Sequence, residues 1–501
     1  MSRHSRGSPL VLTTSFVVIL LVANSSFQAA AAQSLSRVQR ERGVTMLKQV
    51  TRDVEEHFFD PAYRGMDLAA RSRAAEARIA TATTRSEVLG SIAEILMDLN
   101  DAHTFFVPPD LTIQVDYGWD MQFVGDTCFV IDVRPWSDAR KQGVMPGDVV
   151  RSVNGNRPTR ENLWKFAYIY NLLRPQPGLR VMLQSPGGAP RQLDLEARVR
   201  ERYRIADLTG SDGGGDIWQL IREAQNDAER YRARYITWGE DLVVWKLPQF
   251  TKASVADGIK KLRGKKGLIL DLRGNSGGSV SSLLDLVGRF TAEDVVIGSL
   301  SRRSGKSPLV AKGKSTGAFT GELIVLVDSR SAAAAEVFAR TMQLTRRGRV
   351  IGDRTAGDVM VSRWRGHAMG AETVVFYNTS VTVADLVLAD GSRLEKVGVV
   401  PDVLAIPTSL DLAQQRNPIL SHAAQQLGVP ITPEKAWLLI HATNLLPGLT
   451  NIPTLVVSAE QNITAPHGVI LQNPELANFL PANNPLLQKR TAISAGTRPP
   501  S

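Results

Sequence analysis

The stretch "VLVDSRSAAAAEVFARTMQ", Val325 to Gln343, passes from an apolar run through Asp328-Ser329-Arg330 into an alanine-rich helical pattern. Hydrolases mount nucleophiles at strand-to-helix turns of this kind. Ser329 and Ser331 precede the alanines, and Glu336 follows them. A second segment, "DLRGNSGGSV" (Asp271 to Val280), runs a buried-strand pattern into glycines. Gly277 and Gly278 lack side chains, so backbone N–H groups there can approach a ligand oxygen closely, as in an oxyanion hole or a phosphate nest; a tight structural turn is the equal alternative. No Walker-type Lys-Ser/Thr pair follows, which argues against a nucleotide. His103, in "LNDAHTFF", offers a base at the end of a helical pattern. Glu395, in "ADGSRLEKVGVVPDV", offers a carboxylate before a Gly-Val-Val-Pro-Asp exit. Taken singly, each is compatible with a structural role.

Elements must carry these segments to one place. From Gln33 to Phe106 the apolar spacing predicts helices, closed by Pro108-Pro109. Residues 113–197 read as short strands with one helix around Asn162 to Leu173. Residues 198–240 are polar, include "TGSDGGGD", and read as a flexible connection or surface excursion. From Leu242 onward apolar strands alternate with helices, which implies a sheet covered on both faces. The spacing predicts one further amphipathic helix over Leu410 to Gly428. Trp437 to Ser501 holds few charges among many Asn, Pro and Leu residues and is given no function.

At 501 residues the chain is long enough for two or three domains, and 43% hydrophobic with 22% charged residues is a globular make-up. The net charge of +10 is scattered, and neither zinc-ligand spacing nor an aromatic-glycine RNA-binding pattern accompanies it, so no nucleic-acid partner, metal or other cofactor is expected. Arg3 and Arg6 precede the apolar run Pro9 to Ala23, and small residues follow up to Ala32. That is the pattern of a secretory signal peptide over residues 1–32, too short for a membrane span, and it predicts export to the periplasm or outside the cell with no stable membrane insertion. Cys128 is the single cysteine, flanked by "FVIDV", and reads as a buried strand residue.

Several motifs in order carry more than any one of them. "DAHT", "DLRGNSGG", "VDSRSAAAAEVFA", "GDRTAG" and "DGSRLEKVGVVPD" together resemble the tail-specific, or C-terminal-processing, serine peptidases, most closely the branch with the tricorn core and retinoid-binding-protein-like repeats. "WKLPQF" and "VEEHFFDPAY" support the likeness, which covers residues 40 to 428. Residues 118–197 resemble the PDZ domain of these peptidases through "SDARKQGVMPGDVVRSVNGNRP".

The resemblance implies an α/β fold, with a crotonase-like spiral core over 198–408. It adds a helical region over 33–110, a PDZ-like domain over 113–197, a helix over 409–428 and a tail over 429–501. It places His103 as general base and Glu395 as the acid that orients it. Gly277 or Gly278, with the N–H of Ala334, would form the oxyanion hole. Tyr117, Gly118, Trp119, Asp120 and Met121 match the loop that holds a peptide C-terminus, although Trp119 and Asp120 depart from its usual small, apolar pattern. The family's nucleophile lies three residues before the helix glutamate; counting back from Glu336 gives Ala333. A methyl group cannot attack a carbonyl. The leading expectation is an exported homologue that binds unfolded or C-terminal peptide segments without cleaving them. An active peptidase using Ser331, and a binder of small hydrophobic ligands, remain the alternatives. In a helix Ser331 would face about 200° away from residue 333, hence away from the oxyanion donors.

Overall fold

The computed structural model describes residues 35–109, 113–201, 233–238, 240–370 and 374–429. The segment expected to be a signal peptide, most of the expected polar connection and the residues beyond 429 lie outside the described residues.

Three α-helices open the described residues: α1 (Arg37–His57), α2 (Leu68–Thr81) and α3 (Arg85–Asp98). Each starts at a residue whose side chain accepts from a free first-turn N–H: Ser36 from Gln39, Asp67 from Ala70, Thr84 from Glu87. Met46, Leu47, Val50 and Val54 line one face of α1 and pack with Ile92 and Leu96 of α3. That core continues into Phe106, Tyr377 and Val381, so the helices cover one face of a sheet.

The chain then enters β1 (Phe105–Val107), β2 (Ile113–Asp116), β3 (Trp119–Val124) and β4 (Thr127–Val133). Next come α4 (Asp138–Lys141), β5 (Val149–Val153) and α5 (Leu163–Ala167), whose last turn widens over Tyr168–Leu173. After them come β6 (Gly178–Gln184), β7 (Arg191–Glu196) and β8 (Arg198–Glu201). β3 to β7 form an antiparallel sheet in sequence order, with Val130, Val150, Val181 and Leu183 in its core. β8 pairs with β2.

Beyond residue 232 run β9 (Arg234–Trp238), β10 (Leu242–Lys246), α6 (Lys252–Lys261), β11 (Gly267–Asp271) and α7 (Val280–Gly288). β12 (Val295–Arg302), β13 (Gly305–Ala311), β14 (Glu322–Val327), α8 (Ala334–Leu344) and β15 (Arg349–Gly352) follow. Last come β16 (Val361–Met369), β17 (Val375–Leu388), β18 (Val403–Leu404), α9 (Ser409–Ala413) and α10 (Pro418–Gln426). A six-stranded sheet has the order β18-β15-β14-β11-β10-β9, parallel except at β9. β11 is buried at every position, as expected of a strand covered on both faces. A second, antiparallel sheet has the order β1-β17-β12-β13, with β16 also on β17.

Four sequence expectations need correction. Arg198–Glu201 and Arg234–Trp238 are strands, not connection, because each finds a partner in β2 or β10. The helix expected over 410–428 is two helices: Asn417 caps a new start and Pro418 occupies its first turn, where a missing N–H costs nothing. The β12–β13 and β16–β17 hairpins were not read at all. And the helix after β14 starts at Ala334, so Ser331, Ala332 and Ala333 lie in a turn.

Asp271, fully buried at the end of β11, accepts from Arg273 through Nε (2.9 Å), Nη2 (2.7 Å) and backbone N–H (3.0 Å), with Lys246 Nζ at 3.3 Å. Burial alone would push its pKa up, but Arg273 and Lys246 hold it well below the carboxylate range. A depressed carboxyl stabilises the fold above the unfolded-state pKa, and that contribution disappears as pH falls through the folded-state value. Asp271→Ala is therefore expected to cost about 3–5 kcal/mol in urea unfolding at pH 7, since it strands Arg273 and Lys246. The gap from the natural protein should narrow below about pH 4.

Candidate active site

The turn between β14 and α8 is held by its own side chains. Ser331 is fully buried, and its hydroxyl donates to the Leu272 carbonyl (2.9 Å) and accepts from the Asp328 N–H (3.0 Å). Ser331 thus faces inward, toward the end of β11, although the turn is not helical. Ser329 donates to the Phe123 carbonyl. Two residues after Ser331, Ala333 has φ 50° and ψ −116°, a conformation that costs a side-chain-bearing residue about 1–3 kcal/mol. The surroundings over-determine it. Its N–H donates to the Asp358 carbonyl (2.8 Å) and toward Glu336 Oε2 (3.1 Å), while its carbonyl accepts from the N–H groups of Glu336 and Val337.

Glu336 is the hub of this turn. It is fully buried, and Oε1 accepts from Thr355 Oγ1 and the Gly357 N–H (2.7 Å) while Oε2 accepts from the Asp358 N–H (2.9 Å) as well as Ala333. Burial outweighs these donors and pushes its pKa up to about 8. The sequence treated Glu336 only as a register mark; its apolar neighbours gave no sign of the four donors, three of them backbone.

Gly277 faces the Ala333 methyl: a Cβ there would stand 2.6 Å from Ala333 Cβ and 3.3 Å from the Ala334 nitrogen. Gly278 must also be glycine, because a Cβ would come within 2.5 Å of the Phe250 carbonyl. The Gly277 N–H already donates to Asn275 Oδ1 (2.7 Å). Among the described residues the N–H groups of Gly278 and Ala334 donate to no protein group. Of the two expected glycine donors, only Gly278 is free.

The "DAHT" segment reaches this turn from the other sheet. Asp101 accepts the His103 N–H (2.9 Å) and the Thr382 hydroxyl (3.0 Å); Thr104 Oγ1 accepts the Thr382 N–H (3.0 Å); Ser380 Oγ donates to the His103 carbonyl (2.7 Å). His103 is thereby fixed to β17, with a buried Nε2 that has no hydrogen-bond partner. Its ring lies close enough to Asp358 and Glu395 to act on both. Burial pushes each carboxyl up, His103 pulls each back, and Asp101 pushes each up again. Glu395 also accepts the Val359 N–H (3.1 Å). The structure therefore brings His103 and Glu395 into one cluster, with no hydrogen bond between the imidazole and the carboxylate among the described residues. It adds Asp358 and Asp101, which the sequence did not single out as neighbours of the imidazole.

Tyr117 to Met121 lie apart from that cluster. Tyr117 and Trp119 are buried, Tyr117 donates to the Tyr170 carbonyl, and Asp120 pairs with Arg134 at 2.9 Å. β3 is tied to the β14–α8 turn: Arg330 donates to the Met121 carbonyl, Ser329 to that of Phe123, and Gln122 to Asp328. Among the described residues no group of three or more His, Cys, Asp or Glu side chains is placed to hold a metal ion, and no helix is long and apolar enough to cross a membrane.

Comparison with known proteins adds the family. Residues 241–405 match the family described as Peptidase family S41. A carboxyl-terminal-processing protease of Synechocystis is 26% identical over 67% of this chain and 74% of its own length. Carboxyl-terminal-processing peptidase 2 of Arabidopsis thaliana is 23% identical over 70% of this chain, which spans 66% of that relative's length. Among solved structures, mature CPAF aligns over 81% of this chain and 98% of its own, with a TM-score of 0.56 at 15% identity, a likeness of fold alone. Gly277, Gly278, Ala333, Asp358 and Glu395 all fall inside the matched segment, whereas His103 reaches it from outside. Through that segment, the chain is similar to peptidase family S41.

Proposed function

We propose that this chain is an exported, peptide-binding homologue of the tail-specific serine peptidases in which Ala333 holds the nucleophile's place. The observation that supports it most is Ala333 itself. It keeps a costly left-handed turn against Gly277, beside two free N–H donors, and presents a methyl where attack requires a hydroxyl. In this reading His103 is the base position and Glu395 the residue that orients it, while Gly278 and Ala334 point two donors at a substrate carbonyl. The core is a crotonase-like spiral, and residues 113–197 are PDZ-like, with Tyr117 to Met121 as the loop that receives a peptide C-terminus. A peptide adding to β3 would have to displace Ser329 and Arg330 from the carbonyls of Phe123 and Met121. Export rests on residues 1–32, whose apolar run and small residues match a cleavable leader.

Ser331 is a poor substitute nucleophile because its hydroxyl is already committed to Leu272 and Asp328. The natural protein is expected to leave a denatured protein substrate intact and to resist a fluorophosphonate, yet to bind the same denatured chain saturably. Cleavage that Ser331→Ala abolishes would overturn this reading and restore an active peptidase.

A further inference from the structure

β16 is an edge strand. Among the described residues it pairs only with β17, through nine residues, and its other side offers unpaired N–H and C=O groups. Exposed edges of this kind recruit another strand unless charge or a covering element prevents it. The two faces of β16 differ sharply. On one, the register Trp364↔Ser380 and Ala368↔Phe376 puts Trp364 and Phe376 on the same side; they are 63% and 65% exposed, and Trp364 meets Phe105 edge-on at 5.6 Å. On the other lie Arg363 and Arg365, opposite the buried Val381 and Thr379. Among the described residues neither guanidinium forms a hydrogen bond or ion pair, and Arg365 Nε is buried without a partner. β16 contains no acidic residue.

We propose that the β16 edge binds an extended peptide segment of alternating acidic and apolar residues. Strand addition places successive side chains on opposite faces. The apolar set would lie on Trp364 and Phe376, and the acidic set would meet Arg363 and Arg365. Charge decides against a second copy of this chain: two β16 edges paired with each other would set the same cationic row against itself. The position is also telling. β16 begins three residues after Asp358, and Phe105 follows His103 by two, so a strand bound here runs beside the candidate cleft. The inference rests on the peptide-binding reading above and supplies the chemistry of the peptide.

The test uses the full chain and fluorescent peptides of alternating Glu and Val, Lys and Val, or Thr and Val, read by anisotropy. The Glu–Val peptide is expected to bind best. Arg363→Glu combined with Arg365→Glu should weaken it by about tenfold or more, and Trp364→Ala by a similar factor. Both sites are on an edge, and thermal melts of the variants verify that the fold is kept. N-methylation of the peptide's amides should remove binding, which side-chain contacts alone would not require. Three results would overturn the proposal: equal binding of the Lys–Val peptide, indifference to both variants, or a dimer of the natural chain that Trp364→Ala returns to monomer. Fluorophosphonate labelling of Ala333→Ser separates the two ideas. If that variant labels and the Glu–Val peptide fails to bind, only the edge-strand inference falls; if the peptide binds and the variant stays inert, only the peptidase-derived reading of the cleft falls.

Discussion

Ala333→Ser is expected to become labelled by a fluorophosphonate and to cleave a denatured protein substrate, where the natural chain does neither. The substitution adds one oxygen to a Cβ that already stands in the strained turn, facing Gly277 and flanked by the free N–H groups of Gly278 and Ala334. Nothing in the backbone needs to move, because the Ala333 N–H and carbonyl are both fixed by hydrogen bonds that serine would keep. What the variant still requires is a base. His103 has an unpartnered Nε2, with Glu395 and Asp358 nearby to stabilise its protonated form. Adding His103→Ala to Ala333→Ser should therefore lower turnover by about 10²–10⁴-fold, the range of general-base catalysis. Turnover that is indifferent to His103 would show that the new hydroxyl draws its proton acceptor from elsewhere.

Glu336→Ala should be the most destabilising single change in this turn, about 4–6 kcal/mol by urea unfolding. It leaves the Thr355 hydroxyl and the N–H groups of Gly357 and Asp358 short of an acceptor in a buried place, at about 1–3 kcal/mol each and less than additively, while the Ala333 N–H keeps only the Asp358 carbonyl. The same residue gives a pH signature. Its folded-state pKa, pushed up to about 8 by burial, exceeds the ordinary 4.5, so the folded state binds the extra proton between these values. Stability from this group therefore falls as pH rises from about 4.5 to about 8 and is level beyond. Measured at pH 5, 6, 7 and 8, the natural protein should lose ground relative to Glu336→Gln, which cannot ionise. A constant difference across that window would mean that the four donors, and not burial, set the charge of this carboxyl.

β10, β11, β14 and β15, with the helices between them, were legible because the strands are mostly apolar and the helices amphipathic, whereas the polar-rich β12–β13 hairpin within the same stretch was not. His103, Glu395 and the two glycines were legible through ordered motifs, and the structure gathers them around one turn. The β16–β17 hairpin was not. Thr379, Ser380 and Thr382 of β17 are fully buried, on both faces of the strand. Two of them, Ser380 and Thr382, bond to the segment 101–104. An alternation of polar and apolar residues cannot be read where the polar ones are inside. The start of α8 was misplaced for a related reason: alanine suits a helix so well that nothing in Ala332-Ala333 announces a left-handed residue. Asp358 sat in a glycine-containing turn, and only the three-dimensional approach of His103 gives its charge a role.

The stitching of His103 to β17 also sets an order of assembly. Thr104 and Thr382, which share a hydrogen bond, are separated by 278 residues of chain. A contact of such sequence separation closes late, after the entropy of a long loop has been overcome by the packing of the sheets at either end. During synthesis the imidazole emerges early and waits, unseated, until β17 has been made and has folded. The cleft is therefore expected to acquire its shape after the core sheet, and a refolding experiment should find that sheet formed in chains whose His103 is still free in water.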